Sequence, residues 1–277
     1  MDQELGSPPL FSMLVNQDIV IQGDACILVP YLECHVPRYH SWMQSPELQE
    51  ATASEPLSLE EEYAMQKSWK EDADKLTFII LDSSLSEPSI KELDLVKPMA
   101  GDVNIFLTPL EEEAEEDESE EGDADGRPKG VQGSSAPAGT AGHLKQQQHQ
   151  QYGQHDNQDV SQSSHNVRDS STSLQASIAE VEVMVAEPGS RRKGIAQEAV
   201  RLMMAFAAQK LNITRFRAKI LSSNSASLAL FKKLGFKETK LVPIFSEVHL
   251  ELNVRESREA CRSLRECVLQ IHSLPLP

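Results

Sequence analysis

The chain has 277 residues, a formal net charge of −17, 39% apolar and 5% aromatic residues, and four cysteines. No apolar run reaches the ~18 residues of a membrane span and no basic segment precedes an apolar one at the start, so neither a membrane helix nor a secretory leader is expected, and a soluble cytoplasmic protein is. Cys26, Cys34, Cys261 and Cys267 show neither C-x-x-C spacing nor a paired framework, which argues against disulfides and structural zinc and for free thiols.

Residues 1–18 carry Pro, Gly and Ser without periodicity and read as a flexible extension. Asp24 to Tyr31, bounded by Gly23 and Pro30, predicts a first strand. Residues 36–43 predict a short helix, and Ser58-x-x-Glu61 is a capping box that opens a second one carrying Leu59, Tyr63, Met65, Gln66 and Trp69. Trp42, Tyr63 and Trp69 are expected in core packing. Lys75 to Asp82 and Gly101 to Leu107 predict two further strands, and residues 83–99, with Pro88 and Pro98, a loop between them.

The composition then breaks. Between Glu111 and Asp125 eleven of fifteen residues are acidic and none is basic. Gly/Ser/Pro/Ala, Gln/His and Ser/Asn/Gln stretches follow. Such sequence buries too little apolar surface to offset its ordering entropy, so residues 109–176 are expected to be a disordered insert between two strands. His143, His149, His155 and His165 read as solvated linker residues rather than metal ligands, and no metal is expected.

Ala179 to Gln209 reads as an apolar strand, a turn EPGSRRKGIA and a helix. Glu187 to Ser190 are turn formers, and Arg191, Arg192 and Lys193 put three cations just before Gly194, where a helix begins with backbone N–H groups that have no partner. That is an anion site, and a diphosphate is the expected guest. Gly194 has no Cβ and Ala196 little side chain, so the guest can approach the main chain. Ile195, Ala199, Leu202, Met203, Phe206 and Leu211 form one apolar helix face for packing on a sheet. Arg215 to Ile220 predicts a strand. From Asn224 a polar N-cap region leads into a helix ending near Gly235, which sits where positive φ is needed. From Ala186 to Lys240 there are twelve Lys/Arg against three Asp/Glu, a concentrated positive field in an acidic protein. Residues 236–242 and 245–254 predict paired strands, and 255–277 an amphipathic helix or tail. The order of elements predicts an α/β architecture, a mixed sheet of six or seven strands flanked by helices.

Arg191-Arg192-Lys193-Gly194-Ile195-Ala196 matches the R/Q-x-x-G-x-G/A pyrophosphate loop, and Asn224 to Phe236 the second cofactor helix, of the GNAT superfamily of N-acetyltransferases, which the chain resembles. The resemblance implies the GNAT fold, divided here into residues 19–108 and 177–254, with acetyl-CoA as co-substrate. It implies acetyl-CoA contacts at Met184, Val185, Arg191, Arg192, Lys193, Gly194, Ile195, Ala196, Asn224, Ser227 and Lys233. Family members commonly carry a tyrosine as thiol-side acid where this chain has Phe231, so that acid is missing there. Glu180 and Glu182 alternate with Val181, Val183 and Val185, and are the candidates to bind or deprotonate the acceptor amine. VPYLECHVPRYHSWM, GDVNIFLTPL and EVEVMVAEP also resemble the alpha/beta-tubulin N-acetyltransferase group. This implies transfer to a protein N-terminus, that of tubulin, by a monomer associated with microtubules, with neither nucleic acid nor membrane as partner. Two alternatives stay open: a tubulin-binding module of the same fold with weak or no catalysis, and an acetyltransferase for another protein or a small amine.

Overall fold

The computed structural model describes residues 13–52, 54–86, 89–109 and 177–274. The insert from residue 110 to 176, with its acidic run and histidines, lies outside the described residues, as do residues 1–12. The elements are β1 (Ile19–Gln22), β2 (Cys26–Pro30), α1 (Val36–Trp42), α2 (Pro46–Thr52), α3 (Leu59–Glu71), β3 (Lys75–Asp82), β4 (Met99–Pro109), β5 (Ser177–Val185), α4 (Ile195–Lys210), β6 (Arg215–Leu221), α5 (Ser225–Lys233), β7 (Lys237–Val242), β8 (Glu247–Asn253), α6 (Arg258–Arg265) and β9 (Gln270–Ser273). All strands join one mixed sheet in the order β7-β8-β6-β5-β4-β3-β2-β1-β9.

Among the described residues nine strands stand where six or seven were expected, the additions being β1 and β9. Each has only four residues, too few for an alternation to register, and each is completed by the other, Ile19 to Gln22 running antiparallel to Ser273 to Gln270. The C-terminal region is therefore a helix followed by a strand rather than a helix or tail. The expected flexible extension through residue 18 also ends too late: Met13–Asn16 form a 3-10 turn, and Asn16 Nδ2 donates to the Thr77 carbonyl at 2.7 Å.

Neighbouring strands are antiparallel except β5 and β6, which are parallel and joined by the α4 crossover. β4 and β5 pair through Pro109 opposite Ser177, so the two described residues that flank the insert stand side by side.

The sheet has two unlike faces. Odd-numbered residues of β5, Ala179 and Val181, pack with Val103, Ile105, Phe78 and the whole inner side of α4. All six apolar positions read from the sequence of that helix, Ile195, Ala199, Leu202, Met203, Phe206 and Leu211, are buried, each large one contributing roughly 1.5–3 kcal/mol. The Glu198 carboxylate in the first turn accepts from the backbone N–H of Asp24, Ala25 and Cys26, pinning the β1–β2 connection to the helix. Gly23 lies close against that carboxylate: an added Cβ would be 2.6 Å from Glu198 Oε2, and the Glu198 side chain would have to shift.

The opposite face is covered over β2–β5 by α1 and α3, with Trp42, Tyr39, Ile79, Met99 and Met184 in the contact. The α3 capping box forms as read, Glu61 N–H donating to Ser58 Oγ and Ser58 N–H to Glu61 Oε2. Of the residues singled out on α3, Gln66 is buried and Tyr63, Met65 and Trp69 pack against the core, while Leu59 is 42% exposed and Glu62, which the sequence did not mark, is buried. The layer beneath this helix is polar, and that side-chain chemistry sets which of its residues are buried.

Candidate functional site

β5 and β6 are in register only at Ala179 with Phe216 and Glu180 with Arg217. Beyond that they part, and the β6-facing main-chain edge of β5 from Val181 to Val185 runs without a strand beside it. α4 begins where β5 ends and α5 where β6 ends, so both helix starts stand at the open end of the gap. In sheets with parallel strands, a gap at the strands' carboxyl ends is where ligands enter.

The turn between β5 and α4 is a 3-10 turn, Pro188–Ser190, followed by Arg192 at φ 65° and Gly194 at φ 84°. Gly194 is the N-cap of α4 and no side chain caps the helix. An added Cβ at Gly189 or Gly194 would meet nothing within 4 Å, so the main chain of this turn faces open space. Uncapped N–H groups at a bare helix start fit a diphosphate.

The cations of the turn divide into two roles. Arg191 folds back: its Nε donates to the Val185 carbonyl at 3.0 Å, its Nη2 to the Ala186 carbonyl at 3.4 Å and its Nη1 to Glu47 of α2 at 3.0 Å. Lys193 reaches Asp82 Oδ2 at 3.0 Å. Arg192 is exposed and stands beside the open turn. Asp82, at the end of β3, was missed in the sequence. Its side chain is 1% exposed, and it accepts from Ser190 Oγ at 2.7 Å and from the N–H and hydroxyl of Ser84. Burial alone would raise its pKa, but the hydrogen bonds from Ser84, Ser190 and Lys193 outweigh that and hold it at about 2. One carboxylate therefore ties both ends of the Ser190–Lys193 segment to the sheet. The signal available was an Asp followed by two serines at a strand end, an Asx-turn pattern.

Of the α5 residues, Asn224 spends its side-chain oxygen on the N-cap, accepting from Ser227 N–H at 3.1 Å, and Lys233 is exposed. Phe231 is 2% exposed and stacks edge-on against Phe236 at 5.0 Å, so this position is core and has no proton to give. Gly235 adopts φ 94°, as its place after a helix requires.

Even-numbered residues of β5 face the α1/α3 side. Glu180 is 6% exposed and pairs with Lys219 of β6 at 3.2 Å, bridging the point where the strands part. Glu182, half-buried, lies opposite Asn104 of β4 in the register, two residues past Glu180, the last position paired with β6. Met184 is buried and Val185 half-buried on opposite faces. Among the described residues no group of three His, Cys, Asp or Glu could hold a metal ion, all four cysteines are free, and no helix is long and apolar enough to cross a membrane.

The family model "Acetyltransferase (GNAT) domain" matches residues 145–237. Over 248 residues the chain is 37% identical to the alpha/beta-tubulin-N-acetyltransferase 9 of Homo sapiens, covering 88% of each protein. It belongs to the GNAT acetyltransferases and is an acetyl-CoA-dependent N-acetyltransferase. Within that family it groups with the N-acetyltransferase 9-like proteins, of which the Schizosaccharomyces pombe member is 37% identical over 253 residues, 87% of this chain and 98% of that one. A spermidine N-acetyltransferase from Vibrio cholerae, solved with CoA and spermine, has the same fold, with a TM-score of 0.51 at 12% identity over 83% of this chain and 96% of that one.

Proposed function

We propose that this enzyme acetylates the α-amine of a protein N-terminus in the cytoplasm, and that alpha- and beta-tubulin are its acceptors. The observation that carries the reading is the parted β5/β6 edge with a bare, uncapped helix start at one end and Glu180 and Glu182 alongside. The tubulin assignment is supported by the names of relatives from human, mouse and Drosophila at 35 to 37% identity.

In this reading the N–H groups of Ile195 and Ala196, with Gly194 and the exposed Arg192, hold the diphosphate of acetyl-CoA. Arg191 and Lys193 act as the frame of the turn, Met184 and Val185 border the thioester arm, and Asn224, Ser227 and Lys233 flank it from α5. Backbone N–H groups of β5 polarise the thioester carbonyl. An α-ammonium must lose a proton before it attacks. Glu182 takes it directly or through a water, and a positioned base contributes on the order of 10² to 10⁴ in rate. Glu180, tied to Lys219, fixes the strands at their branching point. The thiolate draws its proton from a group other than Phe231.

The test is acetyl-CoA turnover by the full chain with peptides bearing a free Met-Arg or Met-acidic N-terminus, against the same peptides already blocked. Turnover confined to free tubulin N-termini is expected. Equal turnover with blocked peptides carrying a lysine, or with small polyamines alone, would overturn the assignment.

A further inference from the structure

The sheet face under α1 and α3 holds a continuous group of polar side chains. Thr77, Asn104 and Glu182 occupy one register row across β3, β4 and β5, and Asp102 lies in the next. Thr77 Oγ1 donates to Asn104 Oδ1 at 2.7 Å, and Asn104 Nδ2 donates to Asp102 Oδ2 at 2.7 Å. The Tyr39 hydroxyl of α1 reaches the same Asp102 oxygen at 3.4 Å. The same layer holds further buried polar atoms without a hydrogen-bond partner, Asp102 Oδ1, the Tyr31 hydroxyl, Glu62 Oε2 and His40 Nδ1, and Tyr31 lies within electrostatic reach of both Glu62 and Asp102. Asp102, Tyr31 and Glu62 are 3%, 5% and 1% exposed, and buried atoms of this kind are bridged by ordered water. The series ends at His40, whose ring is 3.8 Å from Glu62 Oε1 and 24% exposed.

We propose that Asp102, Tyr39, Tyr31, Glu62 and His40 form a proton exit route that leads from Glu182 through the α1/α3 layer to solvent. The route rests on the reading of Glu182 as base, and it gives the released proton a way out while the parted strands are filled by both substrates. The balance requires one. An ammonium acceptor loses two protons as its N–C bond forms and the thioester C–S bond breaks; one stays on the departing thiol and the other must leave. Glu182 accepts it, Asp102 accepts it next as Glu182 is freed, and the Tyr31 hydroxyl with bridging water carries it to Glu62 and to His40.

The electrostatics suit that task. Burial lifts Glu62 to about 7. Burial also lifts Asp102 to about 6, against the opposing pull of its hydrogen bonds from Asn104 and Tyr39 and the charge of Lys75. Both acids therefore exchange protons near neutrality, while burial pushes the phenols of Tyr31 and Tyr39 up and keeps their hydroxyls intact. The groups facing the route are Tyr39 and His40 from α1, Glu62 and Tyr63 from α3, Tyr31 after β2, Lys75 from β3, Asp102 from β4 and Glu182 from β5, with Asp72 close to Lys75. Lys75, 4% exposed, is the single buried cation of the group among the described residues. It sits on the Trp69 ring, 2.9 Å from its centroid, with Phe106 at 4.1 Å. It sets the local potential without joining the relay.

A static network that merely anchors α1 and α3 would survive Glu62→Gln, which keeps the size and hydrogen bonding but cannot take up a proton near neutral pH. The experiment measures kcat, the acetyl-CoA KM and the solvent deuterium isotope effect for the full chain with a free tubulin N-terminal peptide, across about pH 6 to 9. For Glu62→Gln, kcat is expected to fall about tenfold or more at unchanged KM, with the step near neutral pH lost and the isotope effect raised. Tyr31→Phe, which removes one hydroxyl and no charge, should shift kcat in the same direction by a few-fold. Wild-type kcat and pH profile in both folded variants overturn the route. Glu182→Gln separates the two readings: if it alone is slow, the base stands and the route falls; if it is as fast as wild type, the base falls and the route loses its origin.

Discussion

The two faces of the β3–β5 sheet are built from the same alternating strands and differ in what alternates. Toward α4 every position is apolar, from Leu76, Phe78 and Ile80 through Val103 and Ile105 to Ala179 and Val181. Toward α1 and α3 the same strands present Lys75, Thr77, Asp102, Asn104, Glu180 and Glu182, all but the last buried. Burying a polar group costs free energy unless it is bonded, so a layer used only for support would not collect five of them on adjacent strands. One face carries the sheet on α4 and with it the turn proposed to meet the diphosphate. The other holds titratable groups next to the strand edge where acyl transfer is proposed.

Substitutions that damage one face and spare the other test this division. The largest effect is expected on the dry face. Phe206, fully buried and edge-on to Phe78 at 5.8 Å, should lose about 3–5 kcal/mol of stability as Phe206→Ala, read from denaturant midpoints, with turnover per folded molecule retained. On the polar face the order reverses: Glu182→Gln should lower kcat about 10²-fold, a change of about 2.7 kcal/mol in the barrier, with acetyl-CoA affinity by calorimetry and the melting temperature close to wild type.

The polar face should also make stability depend on pH. Glu62 and Asp102 have folded pKa values raised to about 7 and about 6, above the usual carboxylate range. Their contribution is thus complete below about pH 4 and is lost as pH rises through 6 to 7, by on the order of 2 kcal/mol. Melting curves of the wild type should fall between pH 5 and pH 8, and Glu62→Gln should flatten that fall. The smallest effect is expected at the turn. Asp82→Asn keeps an acceptor oxygen for Ser84 but puts an NH2 donor where Ser190 and Lys193 donate to Oδ2, and the acetyl-CoA KM should rise about tenfold, roughly 1.4 kcal/mol, with kcat nearly constant. A parallel loss of kcat would move Asp82 from framing the turn to the chemistry itself.

The conformation of the turn before α4 was legible because its information is local. A strand, a run of turn formers and Gly194 before an apolar 3- and 4-residue repeat determine the positive φ and the uncapped helix start within some thirty residues. The same holds for the α3 capping box and for Gly235. The partners of the turn's cations were not legible: Arg191 meets Glu47 and Lys193 meets Asp82, across more than a hundred residues of chain. From the sequence all three cations were equivalent, and folding gave carboxylate partners to Arg191 and Lys193 while Arg192 stays exposed beside the open turn.

The polar face had a sequence signal in three i, i+2 polar pairs, Lys75/Thr77, Asp102/Asn104 and Glu180/Glu182, each set in an apolar strand. What the pattern did not carry was the register that puts Thr77, Asn104 and Glu182 in one row, or the turning of α3 that buries Glu62 while Leu59 stays exposed.

The sequence by itself therefore determined the strand, turn and helix proposed to meet the diphosphate, because backbone conformation and helix periodicity are set by near neighbours. Only the tertiary structure decided that β9 returns to pair with β1, that β5 and β6 part after two residues, and that carboxylates from β4 and α3 converge beneath α1. Those outcomes depend on which distant surfaces exclude water together, and a side chain's burial, unlike its helical phase, is fixed by the partner it meets.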